Sequence, residues 1–318
     1  MAGNRGLTEA KRAKKDEFYT QLADIEREVR HYTAHFRGKT VLCNCDDPTV
    51  SQFFHFFSHN FERLGLRRLI TTCYRNQQPD LFSQNQSEQA VWLEYLGDKN
   101  GDRVPNPEEI GIRPLRGDGD FRSEACTDLL KQADIVVTNP PFSLFREYVG
   151  QLLKYDKHFL IIGHQNAIHY RDIFPLIREN KLWLGYGFKG NAAHFVSQYE
   201  DTATASDHRA GMIRVSGVVW FTNLDIPKRH EPLVLYADYD PTTYPTYDNY
   251  PAINVNKTAE IPRDYRGVMG VPITFLDKYC PEQFELLGSS TTDMPRGAPY
   301  LAGKRIYERL LIRRRQEA

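Results

Sequence analysis

Between Asp134 and Phe142 the chain reads Asp-Ile-Val-Val-Thr-Asn-Pro-Pro-Phe, and this stretch limits the possible folds more than any other. Its first half is short, apolar and β-branched, the pattern of a strand buried on both faces of a parallel sheet. Its second half cannot continue as helix or as sheet ladder. Pro140 and Pro141 each lack an N–H and fix φ. Pro140 also pushes Asn139 out of the helical region. An amide side chain, free carbonyls and an aromatic ring are thus held at the carboxyl end of a strand, where open α/β sheets place their ligands.

The flanking sequence repeats this alternation. Leu22, Ile25, Val29, Tyr32 and Phe36 recur at helical spacing, so a helix from about Thr20 to Phe36 buries one face, with Thr20 as N-cap. Phe18 and Tyr19 read as a hydrophobic staple onto it. Lys39–Cys45 is a strand ending in Asp46-Asp47-Pro48, and Val50–Leu64 a helix with Phe53, Phe54, Phe57 and Phe61 inward. Arg67–Cys73 is a second strand. The remaining pattern predicts a helix over 124–132, a helix over 144–153, a strand over 158–163 and a helix over 171–180. Such alternation predicts a doubly wound, mostly parallel sheet. Residues 188–210 read as a loop, and 212–222 as a strand pair or one bent strand. Beyond Asn223 the chain is rich in Pro and Tyr and reads as a second, smaller part. Residues 271–280 predict a helix, 283–288 a strand, and a basic C-terminal helix closes the chain. The division expected is a flexible basic arm over 1–15, an α/β domain over 16–224 and a smaller part over 225–318.

Composition excludes several classes. The longest apolar runs in this chain of 318 residues are far too short to span a membrane. No apolar leader follows Met1, so a cytoplasmic protein is expected. The five cysteines, Cys43, Cys45, Cys73, Cys126 and Cys280, read as reduced thiols. Cys43 and Cys45 alternate across a strand and no second pair has ligand spacing, so no metal is expected. Formal net charge is zero, so no global field draws the protein to a polyanion. Local basic clusters, Lys11–Lys15 and Lys304 to Arg315, read first as solvated helix faces. Asp98–Glu109 places carboxylates and amides on a calcium-loop template, but Arg103 stands where that loop needs glycine. A hairpin turning at Asn100-Gly101, with its second strand from Arg103, accounts for the segment better. No Gly-x-Ser-x-Gly or His-Glu-x-x-His motif supports hydrolysis.

Asn-Pro-Pro-Phe has a specific chemical use. An amide oxygen and a rigid carbonyl can accept both protons of an exocyclic amino group, and a ring beside them can stack on a flat base. A plain turn after a strand is the simpler alternative.

The chain resembles the EcoRI-type adenine-specific DNA methyltransferases, nearly end to end. The residues carrying the resemblance are Glu17-Phe-Tyr-Thr20, Cys43-Asn-Cys-Asp-Asp-Pro48 with Ser51 and Phe53, Asp120-Phe121, Asn139-Pro-Pro-Phe142, Trp220-Phe-Thr-Asn223 and Val271-Pro-Ile-Thr-Phe275. The resemblance implies S-adenosyl-L-methionine as cofactor and N6 of a flipped adenine in double-stranded DNA as acceptor. It implies an S-adenosyl-L-methionine-binding catalytic domain over 16–224 and a target-recognition part over 225–318, in a protein that is part of or derived from a restriction-modification system; a monomer is expected, and whether a companion restriction endonuclease acts on the same site is left open. It implies that Phe18, Tyr19 and Thr20 wall the cofactor pocket and that Asp46, Asp47 and Pro48 lie beside the methionine part. Asp120 would accept from the cofactor's adenine amino group, with Phe121 on its ring. Asn139 and Pro140, with Pro141, would grip the target amino group. Phe142 would stack on the flipped base and Phe221 would face its other side. Two departures from the family pattern stand out. Ser51 replaces a glycine after the first strand, and Thr71-Thr72-Cys73 lacks the acid that holds the ribose, for which Asp46 can substitute. Methyltransferases of RNA adenine and of protein glutamine share the tetrapeptide, and a catalytically idle DNA-binding protein could keep the fold.

Overall fold

The computed structural model describes residues 20–45, 51–72, 90–102, 104–106, 108–188, 192–196, 212–290 and 297–315. Phe18, Tyr19, Asp46, Asp47, Pro48 and Cys73 lie outside the described residues, as does the basic arm. The chain divides into two compact units, residues 1–165 with 187–224, and residues 166–186 with 225–318.

The first unit is built on an α/β sheet. Its strands are β1 (Thr40–Cys43), β2 (Arg68–Thr72), β3 (Val91–Tyr95), β4 (Ile110–Pro114), β5 (Ile135–Thr138), β6 (His158–His164) and β10 (Val218–Thr222). They lie in the order β4-β3-β2-β1-β5-β6-β10. The central strands β2, β1, β5 and β6 are parallel, and β3, β4 and β10 are antiparallel to their neighbours. Burial explains the centre. Every residue of β1 and β5 is buried, which a continuous β-branched and apolar run tolerates and an alternating one does not. The order also fixes where a site can form. From β1 the chain builds outward on one side through β2, β3 and β4, then returns to place β5 on the other side. The carboxyl ends of β1 and β5 therefore flank the point where strand order reverses.

Helices connect these strands. Helix α1 (Leu22–Val29) runs on through a tighter turn at Arg30–Tyr32 into a last helical turn at Thr33–Phe36. Ile25, Val29, Tyr32 and Phe36 are fully buried, whereas Leu22 is 44% exposed. The N-cap is Gln21 without a side-chain cap; Thr20 is buried one residue earlier. Helices α2 (Gln52–His59) and α3 (Phe61–Leu64) follow β1, burying Phe53, Phe54, Phe57 and Phe61. Helix α4 (Glu124–Gln132) starts where Ser123 Oγ accepts from the Cys126 N–H at 3.3 Å, and leads into β5. Helix α5 (Phe145–Lys154) follows Asn-Pro-Pro-Phe and buries Phe145, Tyr148, Val149 and Leu152.

Several local expectations change. The β3–β4 hairpin does form, but its second strand begins at Ile110 rather than Arg103. The intervening loop closes around acids: Asp98 Oδ1 accepts from the Gly101 N–H at 2.7 Å, and Glu109 Oε1 from the Lys99 N–H at 2.7 Å. Within 188–210, read as loop, Ala192–Val196 is strand β8, paired antiparallel with β9 (Met212–Ser216). Gly217, at φ +74°, then separates β9 from β10, so the 212–222 run is two strands in different sheets.

In the second unit, segment 166–186 joins the C-terminal part because its side chains are used there. The Arg229 guanidinium sits 3.9 Å over the Trp183 ring of β7 (Trp183–Leu184) and donates to Asn180 Oδ1 at 2.7 Å. Lys228 donates to the Gly185 carbonyl at 2.7 Å. The helix predicted over 171–180 is only α6 (Phe174–Arg178). A second sheet has the order β11 (Ile253–Asn254), β12 (Met269–Val271), β16 (Leu310–Arg314), β13 (Phe284–Ser289). Residues 273–278 form a 3-10 helix instead of an α-helix. The predicted C-terminal helix is replaced by the β14–β15 ribbon (Tyr300–Leu301 with Lys304–Arg305) and β16. The physical reason is that β16 lies between β12 and β13, where Leu310, Leu311 and Ile312 are all buried, so its apolar run shows no alternation.

Packing is close around Gly163 of β6. A Cβ there would stand 2.5 Å from the Phe145 ring and 2.9 Å from that of Phe221. Gly163→Ala should therefore cost about 1–3 kcal/mol through forced repacking of two core rings. Urea denaturation measures this as a lower midpoint at unchanged slope; an unchanged midpoint would contradict it.

Candidate active site

The site is built at the reversal of strand order. Asn44 follows β1 and Asn139 follows β5; each is 6% exposed. The two strand ends are tied together. Thr138, the residue before Asn139, donates its hydroxyl to the Asn44 carbonyl. Tyr148 of α5 donates its hydroxyl to Asn44 Oδ1. Burial holds the Tyr148 phenol well above its usual range, so it stays a donor. Cys45 follows in the left-handed region at φ +74°, which turns the chain out of the sheet directly after Asn44.

The tetrapeptide leaves β5 as the sequence demands. Pro140 is buried, Pro141 half-buried, and Pro141 takes an extended ψ of 125°. The turn is closed by the Leu144 N–H donating to the Pro141 carbonyl at 2.9 Å, a bond that does not involve the carbonyl of Pro140. Phe142 is half-buried, and its ring centroid lies 6.4 Å from that of His164 at the end of β6. Burial lowers the His164 pKa, which keeps this imidazole neutral at neutral pH.

Asp120 and Phe121 precede α4. Phe121 is 7% exposed and packs edge-on against Tyr148 at 5.0 Å, which joins this segment to the Asn44 junction. Asp120 is held by Arg122, whose Nε donates to Oδ1 at 2.9 Å and Nη2 to Oδ2 at 2.6 Å. The Arg122 N–H adds a third bond to Oδ1 at 2.8 Å. These side-chain bonds are the main cause of the lowered Asp120 pKa, so the carboxylate stays ionised. A carboxylate has about four acceptor positions, so one remains for a further donor.

Phe221 is a correction. It is fully buried on β10, its ring 4.9 Å from that of Phe145, so it is a core residue and presents no face to a base. The sequence reading assigns no role to Asn44, Tyr148 or Arg122. Asn44 had a signal, since an asparagine follows each of the two central strands; Tyr148 and Arg122 read as helix-face and turn residues.

A family model described as "Adenine-specific methyltransferase EcoRI" matches residues 6–315. The chain belongs to the EcoRI family of adenine-specific methyltransferases. Among curated proteins it is similar to the type II methyltransferase M.EcoRI of Escherichia coli, 46% identical over 99% of this chain and 98% of that protein. It is also similar to the type II methyltransferases M.MpnI of Mycoplasma pneumoniae and M.MgeORF184P of Mycoplasma genitalium. M.MpnI is 37% identical over 96% of this chain and 97% of that protein. M.MgeORF184P is 36% identical over 96% and 98%. No solved structure matches.

Membership of this family calls for a methyl donor, and the described residues offer unpartnered polar groups to one. Thr20 Oγ1 and Thr71 Oγ1 are buried without a hydrogen-bond partner among the described residues, a cost that a polar ligand removes. Thr71 pairs with Cys43 at the carboxyl end of the β1–β2 pair, beside the reversal of strand order. Among the described residues no three His, Cys, Asp or Glu side chains are placed to hold a metal, and no helix is long and apolar enough to cross a membrane.

The junction gives a direct test. Tyr148→Phe removes a donor and leaves the buried Asn44 Oδ1 short of it, so stability should fall by about 1–3 kcal/mol. Chemical denaturation of the two proteins measures the difference, and equal stability would show that Asn44 is not held this way.

Proposed function

We propose that this EcoRI-family methyltransferase transfers a methyl group from S-adenosyl-L-methionine to N6 of a flipped adenine in double-stranded DNA, as the modification half of a restriction-modification system. The observation that carries the reading is Asn-Pro-Pro-Phe at the carboxyl end of β5, facing the reversal of strand order, in a chain of this family. A companion endonuclease, a monomeric state and a cytoplasmic location belong to the same reading.

S-adenosyl-L-methionine, when bound, supplies a sulfonium methyl group as electrophile. The adenine amino group is a poor nucleophile, and the chain's own residues improve it. Asn139 Oδ1 and the Pro140 carbonyl accept its two N–H bonds, which favours a pyramidal nitrogen and develops its lone pair. Pro141 fixes the geometry, because the turn that it begins uses the Pro141 carbonyl and not that of Pro140. Phe142 stacks on the extruded base, which pays part of the unstacking energy. On the cofactor side, Asp120 offers its remaining acceptor position to an amino group and Phe121 lines the ring. Thr20 supplies a buried hydroxyl. Phe18, Tyr19, Asp46, Asp47 and Pro48 complete the pocket in this reading. Positioning and hydrogen bonding carry the transfer, and no ionisable base is required, because the proton that the methylated N6 must shed is strongly acidic and passes to water from its contact with Asn139 Oδ1 or the Pro140 carbonyl.

Asn139→Ala should lower transfer of labelled methyl to duplex DNA by about 10²–10³-fold or more, the scale of losing one such polar contact, while cofactor binding stays measurable. Near-normal turnover would refute the role of Asn139. Phe142→Ala should weaken binding of the flipped base by a contact worth about 1–3 kcal/mol, seen as poorer capture of a duplex with a mismatched target adenine. Sequencing methylated adenines in DNA from expressing cells tests the acceptor. Methyl label found only in RNA or on protein glutamine would overturn the DNA reading.

A further inference from the structure

The C-terminal basic cluster separates into two groups once folded. Arg313 is paired with Glu285 at 2.7 Å, Arg314 donates to the Arg263 carbonyl, and Arg315 donates to that of Pro281 at 2.6 Å. Arg309 turns back onto the Glu308 carbonyl at 3.2 Å and reaches Asn254 Oδ1 at 3.4 Å. Those arginines are committed to partners within the second unit. Lys304 and Arg305, on β15, are exposed, and among the described residues neither side chain has a hydrogen-bond or ion-pair partner.

The ribbon carrying them is prearranged. Its turn, Ala302-Gly303, has positive φ at both residues (47° and 75°), the geometry of a tight two-residue hairpin. Asp248 clamps that turn, accepting from the Gly303 N–H at 2.8 Å and the Ala302 N–H at 3.2 Å. Its negative charge is thereby spent on backbone rather than on Lys304 or Arg305. Asn249 holds the ribbon's other strand, accepting from the Tyr300 N–H at 3.0 Å and donating to the Ala298 carbonyl at 2.9 Å. Beside the ribbon Tyr307 is 88% exposed. A rigid two-stranded ribbon with unspent cations and an exposed aromatic has the dimensions and charge to enter or flank a DNA groove.

We infer that the β14–β15 ribbon is a duplex-DNA docking element, in which Lys304 and Arg305 contact backbone phosphates. The inference rests on the DNA-methyltransferase reading above and assigns a specific surface to it. Phosphate contacts of this kind release condensed counterions, so each contact steepens the salt dependence of binding.

The test is fluorescence anisotropy of the full chain on a duplex containing its methylation site, from low to physiological salt. The Lys304→Ala/Arg305→Ala variant should bind more weakly and show a log K against log salt slope shallower by about 1.8, or 0.9 per lost contact. The charge-preserving Lys304→Arg/Arg305→Lys variant should restore the slope, and circular dichroism and cofactor binding should match wild type. Wild-type methylation of the duplex with an unchanged slope in the alanine variant overturns the ribbon inference alone. A wild-type chain that binds no duplex overturns both readings. A slope change confined to single-stranded RNA overturns duplex DNA as the occupant.

Discussion

The hydrogen bonds that converge on Asn44 hold the centre of this protein together. The ladder sets the spacing of the paired strands β1 and β5, but not the path of the segments that leave their carboxyl ends at the reversal of strand order. Thr138 grips the Asn44 main chain and Tyr148 grips its side chain. Three consequences follow from one junction. Cys45 can leave the sheet in a left-handed conformation because the residue before it is fixed. Asn139 is placed by the residue before it, which is one of the two anchors. Phe121 gains an edge contact on the Tyr148 ring, so the segment bearing Asp120 is referenced to the same point. A buried polar junction of this kind costs little when every member is satisfied and a great deal when one is lost, which makes its geometry strongly specified.

How much of this could be read from sequence depends on what sets each element. β1, β5 and helix α4 were legible because burial on both faces, or a cap with a periodic face, is a local property. The tetrapeptide was legible because proline chemistry needs no tertiary context. The β14–β16 region was not. Leu310-Leu311-Ile312 flanked by arginines satisfies a helical pattern as well as a central strand, and only the presence of β12 and β13 on either side decides between them. The site divides in the same way. Asn139 and Phe142 are marked by their own neighbours in sequence. Arg122 matters only because it folds back on Asp120 and also meets Glu147 at 2.9 Å. Phe221 carried a motif-like context but lies in the core, because an aromatic on the strand after a glycine-bearing neighbour fills the space that Gly163 leaves.

Charge placement completes the account. With formal net charge zero, attraction to a polyanion has to come from where the cations stand and from which of them are already spent. The Arg122 guanidinium is spent within the site: it keeps Asp120 ionised and occupies three of its acceptor positions, counting its own N–H. What remains for a ligand at Asp120 is one directional acceptor rather than an open negative charge, which suits an amino group more than a free cation. The C-terminal arginines follow the same logic in the second unit, where an ion pair and carbonyls absorb them and, among the described residues of that cluster, leave the ribbon's Lys304 and Arg305 uncommitted. On the proposed function, a neutral chain would in this way carry both a cofactor pocket that is not dominated by repulsion and a docking surface that still attracts phosphate. The separation is possible because Asp120 is committed to Arg122, two residues on, in one unit, and Asp248 to the N–H groups of the ribbon's turn in the other.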